Sequence, residues 1–230
     1  MSWSEISEIS LSGTAQDVFS VGDTKDIQMA TGETVAFEII GFNHENADVM
    51  YDDHYDEHPI CGITFASKNL MSSRYRMDED GQYEYENGFY YATDLSQKLW
   101  RGGPPINIED PMFPEEVLNV MRVIHIERYR ELNTGAPQLG SMACNAFILS
   151  EQEVFGTRTN AGISEGTQYE RFTNSEARIK RLANGSGAVS SWWLRSYAGG
   201  SSQFCIVDQN GQSSTANMTS EQGLCLAFCV

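Results

Sequence analysis

Over the last forty residues, apolar and polar positions alternate with the two-residue period of a β-strand in three successive segments. In the first, Trp192, Leu194 and Ser196 share one side and Trp193, Arg195 and Tyr197 the other. In the second, Phe204, Ile206 and Asp208 oppose Cys205 and Val207. In the third, Leu224, Leu226, Phe228 and Val230 oppose Cys225, Ala227 and Cys229. Each segment has one side suited to a core, so the pattern predicts three strands of one C-terminal antiparallel sheet. The connections, Ala198–Gln203 and Gln209–Asn217, hold no large apolar residue, and the second contains Asn210-Gly211, a strong hairpin signal. They are expected to form polar, exposed ends of the sheet.

Upstream, Trp3, Ile6 and Ile9 have helical spacing over residues 3–12, which fits a short amphipathic helix or an edge piece anchored by Trp3. Asp26–Met29 and Thr34–Phe42, joined by Thr31-Gly32-Glu33, predict a β-hairpin within a 1–60 subregion. Cys61–Phe65 reads as a further strand. Thr93 can cap a helix over 94–101, and Pro114-Glu115-Glu116 starts another, with Val123–Ile126 either continuing it or already a strand. Phe147–Leu149 reads as a buried strand, followed by the capping box Ser150-Glu151-Gln152-Glu153 with Gly156 as its stop. Ser175 is expected to cap a helix over 176–183, whose Arg178, Lys180 and Arg181 suit internal charge pairing. There is no repeat and no linker dividing the chain, so one α+β domain over 1–230 is expected.

Composition narrows the partners. With 230 residues the chain can bury a sizeable core, and its formal net charge of -17 disfavours a nucleic-acid partner, since binding phosphates takes Lys and Arg. No long apolar run suggests membrane insertion, and the N-terminus lacks the basic and apolar regions of a secretory signal. The five cysteines, at 61, 144, 205, 225 and 229, are odd in number and lack C-x-x-C spacing, which favours reduced thiols. On one strand Cys225 and Cys229 would lie about 13 Å apart, beyond the roughly 7 Å limit for a disulfide. Residues 43–60 concentrate His44, Glu45, Asp48, Asp52, Asp53, His54, Asp56, Glu57 and His58, but match neither an EF-hand nor a zinc spacing. A solvated acidic loop is the preferred reading, with no metal and no cofactor. His125 reads as a core or edge histidine.

Several stretches then occur in a telling order: Phe19–Asp23, Ile39–His44, Gly62–Phe65, Leu149–Gly156, Glu165–Tyr169, Arg178–Lys180, Trp192-Trp193-Leu194-Arg195-Ser196 and Ala227–Val230. Together they resemble a domain family of Gram-positive gut bacteria, their prophages and phages, marked by a Trp-Leu-Arg-Ser-Pro segment near the C-terminus. The C-terminal pattern of that family resembles the C-type lectin-like fold, in particular the variable proteins of diversity-generating retroelements. The resemblance implies a lectin-type scaffold that displays changeable polar residues. Tyr197 stands where the family usually has proline, and Leu224-Cys225-Leu226 replaces its Val-Arg-Pro. The Glu-Pro-Asn and Trp-Asn-Asp elements of calcium-dependent lectins are absent, so calcium-dependent sugar binding is not implied.

The expectation that follows is a non-enzymatic receptor-binding or adhesin-like domain of a phage or prophage tail, or of a bacterial surface structure. Its ligand-binding surface would comprise Tyr197, Ser201, Ser202, Gln203, Asp208, Gln209, Asn210, Gln212, Ser213, Ser214, Thr215 and Asn217, facing a cell-surface protein or glycan receptor. Hydroxyl and amide side chains with one aromatic suit adaptable recognition. Trp192, Trp193, Arg195 and Phe228 would be scaffold, with Arg195 satisfying a buried carboxylate or backbone carbonyls and at least one tryptophan in the core. Two alternatives stand beside this. One is a structural subunit that oligomerises or attaches to a tail or fibre, for which an exposed patch at Tyr83, Tyr85, Phe89, Tyr90 and Tyr91 would argue. The other is an oxidase of the formylglycine-generating kind, using a pair among Cys205, Cys225 and Cys229.

Overall fold

The computed structural model describes residues 1–81, 93–99, 112–131, 137–199 and 202–230, and the aromatic patch expected at residues 83–91 lies outside them. In chain order the helices are α1 (Trp3–Leu11), α2 (Ala15–Val18), α3 (Asp94–Leu99), α4 (Glu115–Leu118) and α5 (Glu151–Phe155). The strands are β1 (Thr24–Gln28), β2 (Thr34–Phe42), β3 (Ile63–Ser67), β4 (Ile124–Glu131), β5 (Pro137–Cys144), β6 (Ala146–Phe147), β7 (Trp192–Tyr197), β8 (Gln203–Val207), β9 (Ser213–Asn217) and β10 (Ala227–Cys229). The fold is mixed α+β, with mostly antiparallel sheets and a few short helices. Among the described residues no helix is long and apolar enough to cross a membrane.

Local chemistry accounts for the N-terminal part. Ser2 and Glu5 form a capping box that starts α1, and Trp3 and Ile6 are buried on its inner side, so this segment is a helix rather than an edge piece. β1 and β2 make the expected hairpin, paired from Thr24↔Glu38 to Gln28↔Thr34. They belong to a five-stranded sheet in the order β1-β2-β3-β10-β6. Every residue of β3 and β10 is buried, because both faces of this sheet are covered. Phe228 on β10 sits among the rings of Trp3, Phe37, Phe65 and Phe113, at centroid distances of 5.4 to 5.7 Å. Phe228 is therefore a fully buried member of the core.

The placement of that closing strand corrects the sequence reading. Leu224–Val230 does not join the tryptophan strand in one sheet; only Ala227–Cys229 is strand, and it pairs with β3 and β6. The third member of the β7-β8-β9 sheet is instead Ser213–Asn217, expected as loop. Asn210-Gly211 does mark a hairpin, but the hairpin joins β8 to β9. A partly exposed edge strand needs no apolar alternation, so its pattern is invisible to a search for apolar period.

One helix expectation is corrected and one left open is decided. Ser175–Arg178 is only a short 3-10 turn, capped by Asn174, whose Oδ1 accepts from the Glu176 N–H at 2.9 Å. The chain then extends because Lys180 turns inward: its Nζ donates to the Ser67 carbonyl at 2.6 Å and lies 3.5 Å from Glu38 Oε1. Arg171 takes the other Glu38 oxygen at 2.8 Å. This buried cluster overrides the helical preference of the segment. Of the two alternatives left open after Pro114, the strand is the one observed: α4 lasts one turn, and Ile124–Glu131 is strand and pairs with β5.

Candidate functional site

The β7-β8-β9 sheet carries most of the residues expected to bind a ligand, and it is built outward from β7. All six residues of β7 are buried, on both faces. Trp192 and Trp193 are both fully buried, and each indole N–H finds a carbonyl: Trp192 donates to Arg178 at 2.9 Å and Trp193 to Tyr75 at 2.7 Å. Neither is available as a stacking platform. Tyr197, expected on the surface, is buried as well, its ring 5.1 Å from that of Tyr129 and 5.7 Å from that of Phe204.

Arg195 explains why a cation can sit in this core. Its guanidinium donates through Nη1 to Glu153 Oε2 at 2.6 Å and through Nη2 to Glu153 Oε1 at 2.5 Å, a bidentate pair. Its remaining donors reach the Ile148 carbonyl at 3.0 Å and the Glu127 carbonyl at 2.8 Å. Burial alone would lower the Arg195 pKa, but the Glu153 carboxylate more than offsets this and the guanidinium stays charged. Glu153 is held in turn by the capping box of α5, where Ser150 Oγ accepts from the Glu153 N–H at 3.0 Å and the Ser150 N–H donates to Glu153 Oε2 at 2.9 Å. Gly156, in the left-handed region at φ 71, ends the helix as the sequence indicated. The capping box and the Trp-Leu-Arg-Ser segment are thus two halves of one buried ion pair.

Two further carboxylates, which the sequence did not single out, fasten the loops to this core. Glu165 is fully buried; it accepts from the Tyr129 N–H and the Ser196 hydroxyl, and its backbone carbonyl accepts from Ser150 Oγ at 2.5 Å. Burial pushes its pKa up to about 7 against the opposing pull of Arg195 and those hydrogen bonds. Glu151 accepts from the N–H groups of Thr159, Asn160 and Ala161 at 2.8 to 3.0 Å and from the Ser213 hydroxyl. Asn160 Nδ2 donates to Ser213 Oγ at 2.7 Å, so Ser213 faces inward and ties β9 to the 158–161 loop. The sequence signal for such residues is slight, because an acid within a polar loop reads as solvated until the fold covers it.

The remaining expected residues divide between the two ends of the sheet. Gln203 and Asn217 oppose each other at one end, both exposed, with partly buried Ser202 beside them. At the other end Gln209, Asn210 and Gln212 are exposed. There Asp208 Oδ1 accepts from the Asn210 and Gln212 N–H groups, each at 2.8 Å, and shapes the turn. Ser214 and Thr215 lie between the ends and are partly buried. Ser201 lies outside the described residues.

The side chains exposed at the two ends of this sheet are amides: Gln203 and Asn217 at one, Gln209, Asn210 and Gln212 at the other. All five cysteines are free and buried, as the sequence suggested, and burial pushes the thiols of Cys144, Cys205, Cys225 and Cys229 up, away from the reactive thiolate. The 43–60 segment is not the solvated loop expected throughout: Asp53, His54, Asp56 and Glu57 are exposed, but His44, Glu45, Asp48 and Asp52 are committed to internal pairs. Asp52 binds Arg122, with Nη2 at 2.6 Å from Oδ1, and Asp48 pairs with His125. His44 Nδ1 lies 2.7 Å from Glu45 Oε1, its Nε2 lies 3.1 Å from the Thr167 carbonyl, and its ring stacks on Tyr169. Burial alone would lower the His44 pKa, but the Glu45 carboxylate raises it. The Tyr169 hydroxyl also donates to Glu45, and Gly41 permits this approach: a Cβ there would meet the Tyr169 ring at 3.0 Å. Among the described residues no three His, Cys, Asp or Glu side chains are grouped to hold a metal ion.

A family model described as a domain of unknown function, DUF6273, matches residues 107–230, which include the whole of this sheet and its carboxylate anchors. No curated protein and no solved structure matches the chain.

Proposed function

The chain belongs to the DUF6273 family, and we propose that it is a non-enzymatic ligand-recognition domain with a C-type lectin-like fold. It presents Ser202, Gln203, Asp208, Gln209, Asn210, Gln212, Ser214, Thr215 and Asn217 to a cell-surface protein or glycan receptor. The setting that suits such a surface is the distal part of a phage or prophage tail, or a bacterial surface structure. The observation that carries the reading is the gradient across one sheet. β7 is wholly buried and held by the Arg195–Glu153 pair, while the loops and outer strand two positions away expose short amide and hydroxyl groups. Rigid support lowers the entropy cost of ordering a polar contact surface, and adaptable polar side chains let it accept different partners. The inward tyrosine removes the one aromatic anchor expected at this surface, so the contact area relies on amides and hydroxyls. Buried thiols of raised pKa do not favour the oxidase alternative.

The test is a glycan array and a whole-cell binding assay with Gln203→Ala, Gln209→Ala, Asn210→Ala and Gln212→Ala combined in one variant. Binding that is lost while the circular-dichroism spectrum and melting temperature are retained supports the proposal. Binding that survives all four changes moves the site elsewhere.

A further inference from the structure

Three buried carboxylates act on Arg195: Glu153 binds it directly, and Glu165 and Glu45 reach it at longer range. A second cationic group faces the same cluster. Both ring nitrogens of His44 are set against acceptors, Nδ1 at 2.7 Å from Glu45 Oε1 and Nε2 at 3.1 Å from the Thr167 carbonyl, which suits an imidazolium with its two donors. The Thr167 hydroxyl, also 3.1 Å from Nε2, can serve a neutral ring, but the carbonyl then loses its donor. The other titratable groups packed here are the Tyr169 phenol and the Cys144 and Cys205 thiols, which burial holds neutral. Glu151 is turned away to the N–H groups of residues 159–161, and Glu127 approaches from the exposed side.

Glu165–Tyr169, in no helix or strand, lies across this cluster. Gly166, at φ 75, is so close to it that a Cβ would meet Glu153 Oε1 at 2.5 Å. The Gly166 N–H donates to Glu127 Oε2 at 2.6 Å, and the Tyr169 N–H to the Glu153 carbonyl at 3.0 Å. The Tyr169 ring stacks on His44 at a centroid distance of 3.7 Å. Gly166 is half-buried and Thr167 exposed, so the segment stands between the Arg195–Glu153 pair and solvent. Two of its ties are titratable: Glu165, which holds the Tyr129 N–H and the Ser196 hydroxyl, and His44, which holds Thr167.

We propose that Glu165–Tyr169 is a pH-operated strap, closed over the Arg195–Glu153 pair while His44 and Glu165 carry their protons and lifted when both protons are lost. The cause is charge balance in a water-poor cluster. With both groups protonated, the two cations Arg195 and His44 face the two carboxylates Glu45 and Glu153. With both protons gone, Arg195 alone faces three carboxylates, and unbalanced charge in the interior draws in water. Closure raises the proton affinity of both groups, Glu165 to about 7, so the closed form is favoured at low pH and lost as pH rises through the folded values. Lifting the strap also frees the Tyr129 N–H on β4, which loosens one neighbour of β7. The device does not rest on the ligand-recognition reading.

Amide hydrogen exchange of the full chain, read by NMR and corrected for the intrinsic pH dependence of exchange, tests it. Between about pH 5.5 and about pH 8.5 the Gly166 and Tyr169 amides should lose protection on the order of 10-fold, a factor of ten being one pKa unit. The Ile39 amide, bonded to Asp23 in the other sheet, should keep its protection. Glu165→Gln carries no charge at either pH and should cut the loss to about 3-fold or less, while His44→Phe keeps a stacking ring without its charge and should exchange on the order of 10-fold faster already at the acid end. In the unaltered chain the His44 imidazole signals should titrate in step with the loss of strap protection, a readout that needs no variant to fold. Strap protection that does not fall with pH overturns the proposal, as does a fall that Ile39 shares equally. So does a loss undiminished in Glu165→Gln, or a His44→Phe strap as well protected as that of wild type.

Discussion

β7 and β9 form the two edges of one three-stranded sheet, yet they share almost nothing else. The outer edge of β7 is closed by chain from elsewhere: the Trp193 N–H donates to the Gly223 carbonyl at 3.1 Å, the Arg195 N–H to Leu149 at 2.9 Å, and the Tyr197 carbonyl accepts from Gly162 at 2.8 Å. β9 has no such cover among the described residues, and none of its residues is fully buried. Position in a sheet therefore does not decide burial here; what decides it is whether other segments are drawn over the edge. The Arg195–Glu153 pair and the Glu165 carboxylate draw them over β7, because each binds groups from distant parts of the chain. The same sheet then serves as rigid support at one edge and as an open polar surface at the other.

The comparison breaks most severely if the closed edge loses its cation. Arg195→Met leaves the Glu153 carboxylate buried without its bidentate partner, together with the Ile148 and Glu127 carbonyls that Arg195 satisfied. Removing one partner of a buried pair costs about 3–5 kcal/mol. Urea denaturation should show that loss, and adding Glu153→Gln should recover part of it, because the orphaned charge is then gone. A single-variant cost below about 1 kcal/mol would mean that the pair does not support the edge.

The next effect is one of pH. Glu165 keeps its proton in the folded chain up to about pH 7 and in the unfolded chain only to about 4.5. Its contribution is therefore fully present below pH 4.5 and is lost as pH rises to 7. A pKa rise of that size corresponds to about 3 kcal/mol. The raised His44 pKa acts in the same direction, its contribution being lost as pH rises through the folded value. Other carboxylates titrate too, so the informative quantity is the stability difference between wild type and Glu165→Gln. That difference should shrink from pH 5 to pH 7.5, and a difference constant over the window would mean that Glu165 is ionised throughout.

What the sequence revealed of these edges follows from how each is specified. β7 was legible because tryptophans in alternation signal a buried strand, and the capping box at Ser150 was legible because it is local. Arg195 could be assigned a buried carboxylate as partner, but not which one, since Glu153 lies 42 residues away and only the fold brings them together. β9 was missed because its strand state rests on backbone pairing with β8 and not on apolar side chains. The closing strand β10 was recognised as core but put in the wrong sheet, since alternation fixes which side of a strand is buried and not which strand lies beside it. The 176–183 helix failed where Lys180 had a better partner in the interior than in solvent.

The smallest effect separates residues that hold the open edge from those it displays. Asp208 and Gln209 are neighbours in the same exposed turn, and sequence gives both as surface. Asp208 Oδ1, however, accepts two backbone N–H groups at 2.8 Å, and the turn it shapes also sets Gly211 at φ 75. Asp208→Ala leaves those donors to water and should cost about 1 kcal/mol. Gln209 makes no described hydrogen bond through its side chain, and Gln209→Ala should change stability by less than about 0.5 kcal/mol. Thermal melts of the two variants side by side read the difference directly. If Gln209→Ala costs as much as Asp208→Ala, the turn is built by both side chains. Its amide would then belong to the support, as Arg195 does, and not to the surface that β9 and its loops leave open.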